Sequence, residues 1–344
     1  MRWENERILI TGGNGFLGRE IVRQLLLRGA GSVRIFCRST CSNFADPRVE
    51  IVNGDIRDEK RLIESCVGIT MIFHCAAMAG IWGRWEDFFS INVIGTRNVI
   101  RAAYENRVNV LVYTSSPSVV IPPSGVYGAN ESIPYSKRYL AFYPKTKANA
   151  ERIVVASASE KLRTISIRPH LIWGPGDPHI LPRLIDRAIK SKLIQIGDGK
   201  NCVDLTYVDN AAFAHILAGE VLRKSQKYSG KIYFVSDGDK VNLWNWINNF
   251  LSLLGLKNVS RKIPVTLAYA IAALCEFRHR IFNISGEPLL TRFTVMQLAR
   301  DHFFDISAIK TDLNYKPIVN QDEALNRTVE SFKFVVEKLN YARK

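Results

Sequence analysis

Tyr143-Pro-Lys-Thr-Lys147 sets a phenol and a primary amine four residues apart. On a helix that spacing puts both side chains on one face. A free phenol titrates near ~10, and a neighbouring ammonium lowers that value by favouring the phenolate. A tyrosine so tuned passes a proton to or from an alcohol oxygen near neutral pH. Pro144 suits the first helical turn, where a missing N–H costs little. A second group that can touch an oxygen is Ser116, in Val110-Leu-Val-Tyr-Thr114-Ser-Ser-Pro117. The carboxyl end of a central strand lies at the crevice where such sheets bind ligands. Ser116 is preferred to Ser115 because the residue before a proline is held extended. Its hydroxyl can bond a substrate carbonyl.

A redox cofactor is implied by the first loop. Gly12-Gly-Asn-Gly-Phe-Leu-Gly18 follows a β-rich run, Arg7–Thr11, and precedes a helical pattern over Arg19–Arg28 that Gly29 stops. Strand, glycine turn and helix form a dinucleotide-binding context, in which Gly12, Gly15 and Gly18 let the backbone approach a pyrophosphate at the helix N-terminus. Phe16 and Leu17 stand between those glycines. The next strand, Val33–Arg38, ends in Cys37-Arg38-Ser39, where an NAD site would carry an acid for the ribose 2′-hydroxyl. A guanidinium there suits a 2′-phosphate, so NADP(H) is favoured over NAD(H). Asp55, at the end of Val49–Asn53-Gly54, can take an adenine amino group, with Ile56 against the ring. Met71–Ala77 ends in Ala76 and Ala77, small enough for close approach of a cofactor. His74 in that strand reads as packed rather than catalytic.

These groups need a frame that brings strand ends together. Repeated strand–helix alternation without an internal repeat predicts an α/β fold, a Rossmann doubly wound parallel sheet. Further elements are a helix over Asp87–Tyr104 and a sixth strand over Thr164–Arg168. Residues 1–174 form the dinucleotide-binding domain, with 204–226 returning to it. Residues 175–203 and 227–344 form a smaller, discontinuous substrate-binding region. Helices are expected over 305–313 and 323–339.

The 344 residues carry a net charge of +15, spread along the chain rather than blocked into a tail. That balance admits anionic partners. Cysteines 37, 41, 66, 75, 202 and 275 show no C-x-x-C pair and no metal-like spacing, so they read as reduced thiols in a cytoplasmic protein with no metal site. The start of the chain has no secretory signal. The apolar run Val265–Leu274 is too short to span a bilayer. It reads as a core helix, a helix lying on a membrane, or the lining of a greasy pocket. Trp82, Trp85 and Trp173 either serve a large apolar ligand or pack the core. Arg84 and Arg183 are candidates to hold a carboxylate.

Together, the glycine turn, Asp55, Ser116, Tyr143 and Lys147 resemble the extended short-chain dehydrogenase/reductase superfamily over almost the whole chain. Thr114-Ser-Ser116 with Tyr143-Pro-Lys-Thr-Lys147 looks like its 3β-hydroxysteroid dehydrogenase branch. Ala79-Gly-Ile-Trp-Gly83, Leu171-Ile-Trp-Gly-Pro-Gly-Asp177, Gly197-Asp-Gly-Lys-Asn201 with Val203-Asp204, and Thr206-Tyr-Val-Asp-Asn210 look like bacterial 2-alkyl-3-oxoalkanoate reductases. Sterol-4α-carboxylate 3-dehydrogenases are similar too. The resemblance implies that Tyr143 is the general acid/base, that Lys147 tunes it and holds the nicotinamide ribose, and that Ser116 binds the substrate oxygen. It matches Asn92 to the asparagine that steadies the active-site helix or water, and it places Asn92 and Thr114 beside the cofactor and Pro169 near the nicotinamide amide. It implies a secondary alcohol–ketone oxidoreductase for a large apolar substrate, a β-keto or β-hydroxy acid, or else a 3β-hydroxysteroid, in a homodimer formed through Asp87–Tyr104 and Tyr143–Ser157. Cys37-Arg38 departs from the acid that the steroid enzymes carry and counts against NAD and a steroid. A nucleic-acid-binding or cofactor-sensing protein on this fold is disfavoured, because Ser116, Tyr143 and Lys147 are all present.

Overall fold

A computed structural model describes residues 3–39 and 44–341. Seven parallel strands make the central sheet: β1 (Arg7–Thr11), β2 (Ser32–Cys37), β3 (Val49–Asn53), β4 (Met71–His74), β5 (Val110–Thr114), β6 (Arg163–Pro169) and β7 (Lys231–Val235), in the order β7-β6-β5-β4-β1-β2-β3. Strands covered on both faces read as near-continuous apolar runs, and Ile8-Leu-Ile10 and Val110-Leu-Val112 do so here. Neighbouring residues feed opposite layers. Ile8 and Ile10 pack with Ile21, Val22 and Leu25, whereas Leu9 packs with Phe36, Val99, Leu111 and Val154. Chain order reverses where β1 lies between β2 and β4, so the glycine turn after β1 opens at the switch point of the sheet.

Helix α1 (Phe16–Leu27) begins directly after Gly15, three residues earlier than the side-chain periodicity predicts, and Gly29 at φ +79° follows its end. Helix α2 is Glu59–Ser65. The predicted helix over Asp87–Tyr104 is α3 (Trp85–Phe89) and α4 (Gly95–Glu105), joined through a π-helical turn at Ser90–Ile94. Gly95 is required there for contact, since a Cβ would lie 2.5 Å from Ile56 Cδ1. Helix α5 (Phe142–Ala156) covers β5 and β6 from one side, and α6 (Val208–Lys224) covers them from the other.

Two departures concern the expected split of the chain. Lys231–Val235, assigned to the substrate-binding region, is the edge strand β7 and pairs with Ile165–Pro169. Conversely, Val126–Ala129 leaves the first region and joins His302–Phe304 in a separate four-stranded sheet with Cys202–Val203 and Val241–Asn242. Long-range strand pairing of this kind leaves little local trace. A second apolar cluster holds Trp173, Leu181, Trp244 and Phe250. The helices expected over 305–313 and 323–339 are Ser307–Leu313 and Gln321–Tyr341.

The run starting at Val265 is helix α7 (Val265–Ile281). It is not a core helix: it turns small Ala268 and Ala272 inward and large apolar side chains outward. Cys66, Cys75, Cys202 and Cys275 carry free thiols, and Cys41 lies outside the described residues. Among the described residues no helix is long and apolar enough to cross a membrane, and no cluster of His, Cys, Asp or Glu could hold a metal ion.

Candidate active site

Tyr143, Lys147 and Glu151 recur every fourth residue of α5 and share one face, with Pro144 in the first turn. Lys147 is 3% exposed. Its ammonium donates to the Thr114 carbonyl at 2.6 Å and lies 4.2 Å from the Tyr113 ring centroid. Burial lowers its pKa to about 7, although the Glu151 carboxylate pulls the other way. The Tyr143 phenol departs from expectation. Burial holds it above its ordinary value, and the opposing influence is a hydrogen bond with Ser116 rather than the charge of Lys147. Depth of burial decides the sign, and Lys147 is itself poised near neutrality and turned toward Thr114.

A ligand anion brought against Lys147 raises its pKa again. At pH ~8 dinucleotide binding is therefore expected to take up as much as one proton, and at pH ~5, where the amine is charged in both states, none from this group. Affinity then falls as pH rises above about 7. Titration calorimetry in buffers of different ionisation enthalpy reads the proton count directly. A count of zero at both pH values removes Lys147 from the binding site.

Ser116 is extended, φ −159° and ψ 143°, as Pro117 requires. Its oxygen accepts from the Ser118 N–H at 3.2 Å and lies 2.9 Å from the Ser118 hydroxyl oxygen. With those bonds accepted, the Ser116 hydroxyl proton is free for the phenol or for a carbonyl oxygen. Ser115 is buried and its hydroxyl has no partner among the described residues, and the serine that bonds the Tyr143 phenol is Ser116. Ser118 was not evident from sequence.

Asn92 bridges two segments of the site, as expected of an asparagine that steadies the active-site helix. From the π-helical turn its Oδ1 accepts from Met78 N at 2.8 Å, and its Nδ2 donates to Met78 O at 3.2 Å and Thr146 Oγ1 at 3.0 Å. Thr146 in turn bonds the carbonyls of Phe142 and Tyr143. The amide thus ties the loop after β4 to the first turn of α5. Thr114 offers its carbonyl to Lys147, while its hydroxyl meets His215 Nε2 at 2.9 Å and Cys75 Sγ at 3.3 Å. Pro169 ends β6, buried and level with Val235.

His74 is packed. Thr96 donates to the Asn92 carbonyl at 2.7 Å, so His74 Nε2 donates to Thr96 at 2.9 Å, and His74 Nδ1 accepts from Thr11 at 2.7 Å. Burial lowers its pKa to about 3, and the ring stays neutral.

The glycine turn fits a dinucleotide. A Cβ on Gly12 would lie 2.9 Å from Ala76 N, and one on Gly18 would lie 2.2 Å from Gly12 O, so substitution would fill the turn. Gly15 is the N-cap of α1, with no side-chain cap and no acid in the first turn. The N–H groups of Phe16, Leu17 and Gly18 therefore have no intrahelical partner. A groove of about 560 Å³ brings together Gly12, Gly15, Arg38, Asp55, Ile56, Ala76 and Ala77. Phe16 faces an adjoining hollow with Arg19 and Pro175. The Arg38 side chain is exposed at the end of β2. Asp55 is already engaged: Arg57 bonds it at 2.7 and 3.0 Å, which together with a backbone N–H holds its carboxyl below the usual range. Arg57 also lines the groove and was missed; Asp55-Ile56-Arg57 looks like an ordinary turn in sequence.

A second cavity, about 690 Å³, opens at the head of α5. Arg84, Arg138, Lys145 and Arg280 line it with Trp82 and Ile284, and Glu287 is the one carboxylate among its described lining residues. Of the two candidate carboxylate holders, Arg84 lines this cavity and pairs with Glu86 at 3.5 Å, and Arg183 is paired with the lining residue Glu287 at 2.9 Å. Trp173 is core, 2% exposed. Trp85 packs on Phe142 at 5.5 Å between ring centroids.

Comparison with known proteins matches residues 9–265 to the 3-beta hydroxysteroid dehydrogenase/isomerase family. A 2-alkyl-3-oxoalkanoate reductase of Stenotrophomonas maltophilia is 40% identical over 93% of this chain and 98% of its own length. A decarboxylating sterol-4-alpha-carboxylate 3-dehydrogenase of Mus musculus is 34% identical over 95% of this chain and 91% of its own. Among solved structures, MoeE5 in complex with UDP-glucose and NAD superposes with a TM-score of 0.74, covering 96% of this chain and 99% of that one at 22% identity.

Proposed function

The chain belongs to the 3-beta hydroxysteroid dehydrogenase/isomerase family, and from that premise we propose that it reduces the 3-oxo group of a large apolar carboxylic acid, with NADPH favoured over NADH. It is an NAD(P)-dependent oxidoreductase that interconverts a secondary alcohol and a ketone. The observation that carries the substrate reading is the cavity at the head of α5, which combines indole and aliphatic side chains with five cationic ones. An amphiphile with a carboxylate near the reacting ketone suits that lining, and the name of the bacterial relative describes such a molecule. Arg38 in place of an acid supports the 2′-phosphate, with Arg57 beside it.

When bound, the dinucleotide supplies the hydride. Ser116 and Tyr143 bond the ketone oxygen and fix the carbonyl. As negative charge grows on that oxygen, the Tyr143 O–H gives up its proton to it, so the C=O bond becomes CH–OH. Ser116 stabilises the phenolate left behind, and the Thr114 carbonyl keeps Lys147 in place beneath it. Preorganised donors of this kind lower a barrier without reorganising during reaction.

The test is NADPH consumption with long-chain 2-alkyl-3-oxo acids against a panel of oxosteroids, repeated with NADH. Turnover is expected with the acids, and Arg38→Ala should narrow the preference for NADPH over NADH. A second reading, a 3β-hydroxysteroid dehydrogenase, is favoured by the family match itself. Turnover of steroids with NAD and none of the acids would establish it in place of the first. The same proposal takes the protein as cytoplasmic, homodimeric through the helical segments 87–104 and 143–157, and in peripheral contact with membrane.

A further inference from the structure

Helix α7 is amphipathic the wrong way round for a soluble helix. Leu267, Ile271, Leu274, Phe277 and Ile281 are 51, 39, 60, 59 and 57% exposed, and Phe282 beyond its end is 70% exposed. Spacings of three and four residues place them in one stripe. The inward face has only small Ala268 and Ala272 and the carboxylate Glu276 fully buried. Contiguous apolar surface of this kind marks an interaction site.

Charge says what the stripe meets. Arg278 lies on it and Arg280 beside it, and neither has an ion pair with any described residue. The two acids nearby are neutralised, Glu276 by Arg292 at 2.7 Å and Glu287 by Arg183 at 2.9 Å. Arg187 bonds the carbonyl of Leu289, itself 69% exposed. A two-fold contact of this face with a second copy would set cation against cation. Anionic lipid headgroups above an apolar acyl boundary complement both features.

We propose that α7 lies in the surface of an anionic bilayer and sets the mouth of the substrate cavity against it. His279, Arg280, Asn283 and Ile284, on and just after this helix, line that cavity. The apolar substrate then enters from the membrane through the face that docks. This rests on the proposed substrate class, but its test does not require turnover.

The test is co-sedimentation of the full chain with vesicles of phosphatidylcholine alone or mixed with phosphatidylglycerol, comparing the wild type, Leu274→Ser/Phe277→Ser and Arg278→Glu. The wild type is expected to bind mixed vesicles. The double variant should bind them roughly tenfold or more weakly, and Arg278→Glu should lose chiefly the phosphatidylglycerol-dependent part. All three should show the same circular-dichroism spectrum and unfold at the same temperature, which shows the variants folded. Equal vesicle binding by wild type and double variant overturns the proposal. So does a wild type that ignores vesicles and sediments as a dimer that the double variant dissolves.

Discussion

Replacing Tyr143 by phenylalanine is expected to cut turnover by roughly 10²–10⁴-fold, the usual worth of a positioned general acid, while dinucleotide binding persists. The ring stays, so the start of α5 keeps its packing. Only the phenol oxygen goes, and Ser116 retains its bonds to Ser118. The loss belongs in kcat and in kcat/KM alike, because the proton is transferred only in the transition state. The proposed cofactor contacts are the glycine turn and Lys147, neither of which depends on the phenol. Burial holds the phenol above its ordinary value, so the wild type keeps its reducing acid through the neutral range. Its reduction rate should therefore fall only on the alkaline side, while the residual rate of the variant should lose the part of that limb that follows the phenol and keep the part that follows Lys147. Stopped-flow measurement of NADPH oxidation with separate fluorescence titration of the cofactor distinguishes these. A variant that binds and turns over at the wild-type rate would refute the proton-donor role.

How much of this was readable beforehand depended on whether the signal was local. The glycine turn announces itself because three small residues must sit at fixed places between a buried strand and a helix. Ser116 could be preferred to Ser115 because Pro117 constrains one residue and not the other. The sign of the Tyr143 shift could not be read, since spacing gives proximity to an amine but not depth of burial. The π-helical turn that aims Asn92 is a change of hydrogen-bond register with no compositional mark. Arg138, Lys145 and Arg280 converge on one cavity from distant segments, as β7 converges on β6. The outward face of α7 was ambiguous for another reason. Its apolar pattern would suit a core helix, a membrane surface or a pocket lining equally, and exposure sets aside only the first.

The largest expected effect on stability lies beneath the same face of α5. Glu151 and Arg168 are 0 and 1% exposed and meet in a two-pronged contact, Nε to Oε2 at 2.9 Å and Nη2 to Oε1 at 2.6 Å. The guanidinium also lies 5.0 Å from the Phe234 ring centroid. Arg168→Met strips the buried Glu151 carboxylate of its guanidinium, at a cost of about 3–5 kcal/mol. For a chain of this length the unfolding entropy is on the order of 0.7 kcal/mol per kelvin, so Tm should fall by roughly 4–7 °C. Adding Glu151→Leu removes the stranded charge, and the double variant should recover most of that loss. Full recovery of stability need not restore function, because Glu151 is the charge that opposes burial at Lys147. Without it the amine titrates lower, and the pH at which Lys147 becomes neutral moves down. Calorimetric unfolding of both variants alongside their pH–rate profiles separates the two contributions. If the double variant regains Tm and keeps the wild-type pH profile, the pair is structural alone. If Tm returns while the neutral-pH rate does not, Glu151 serves the site by keeping the amine charged.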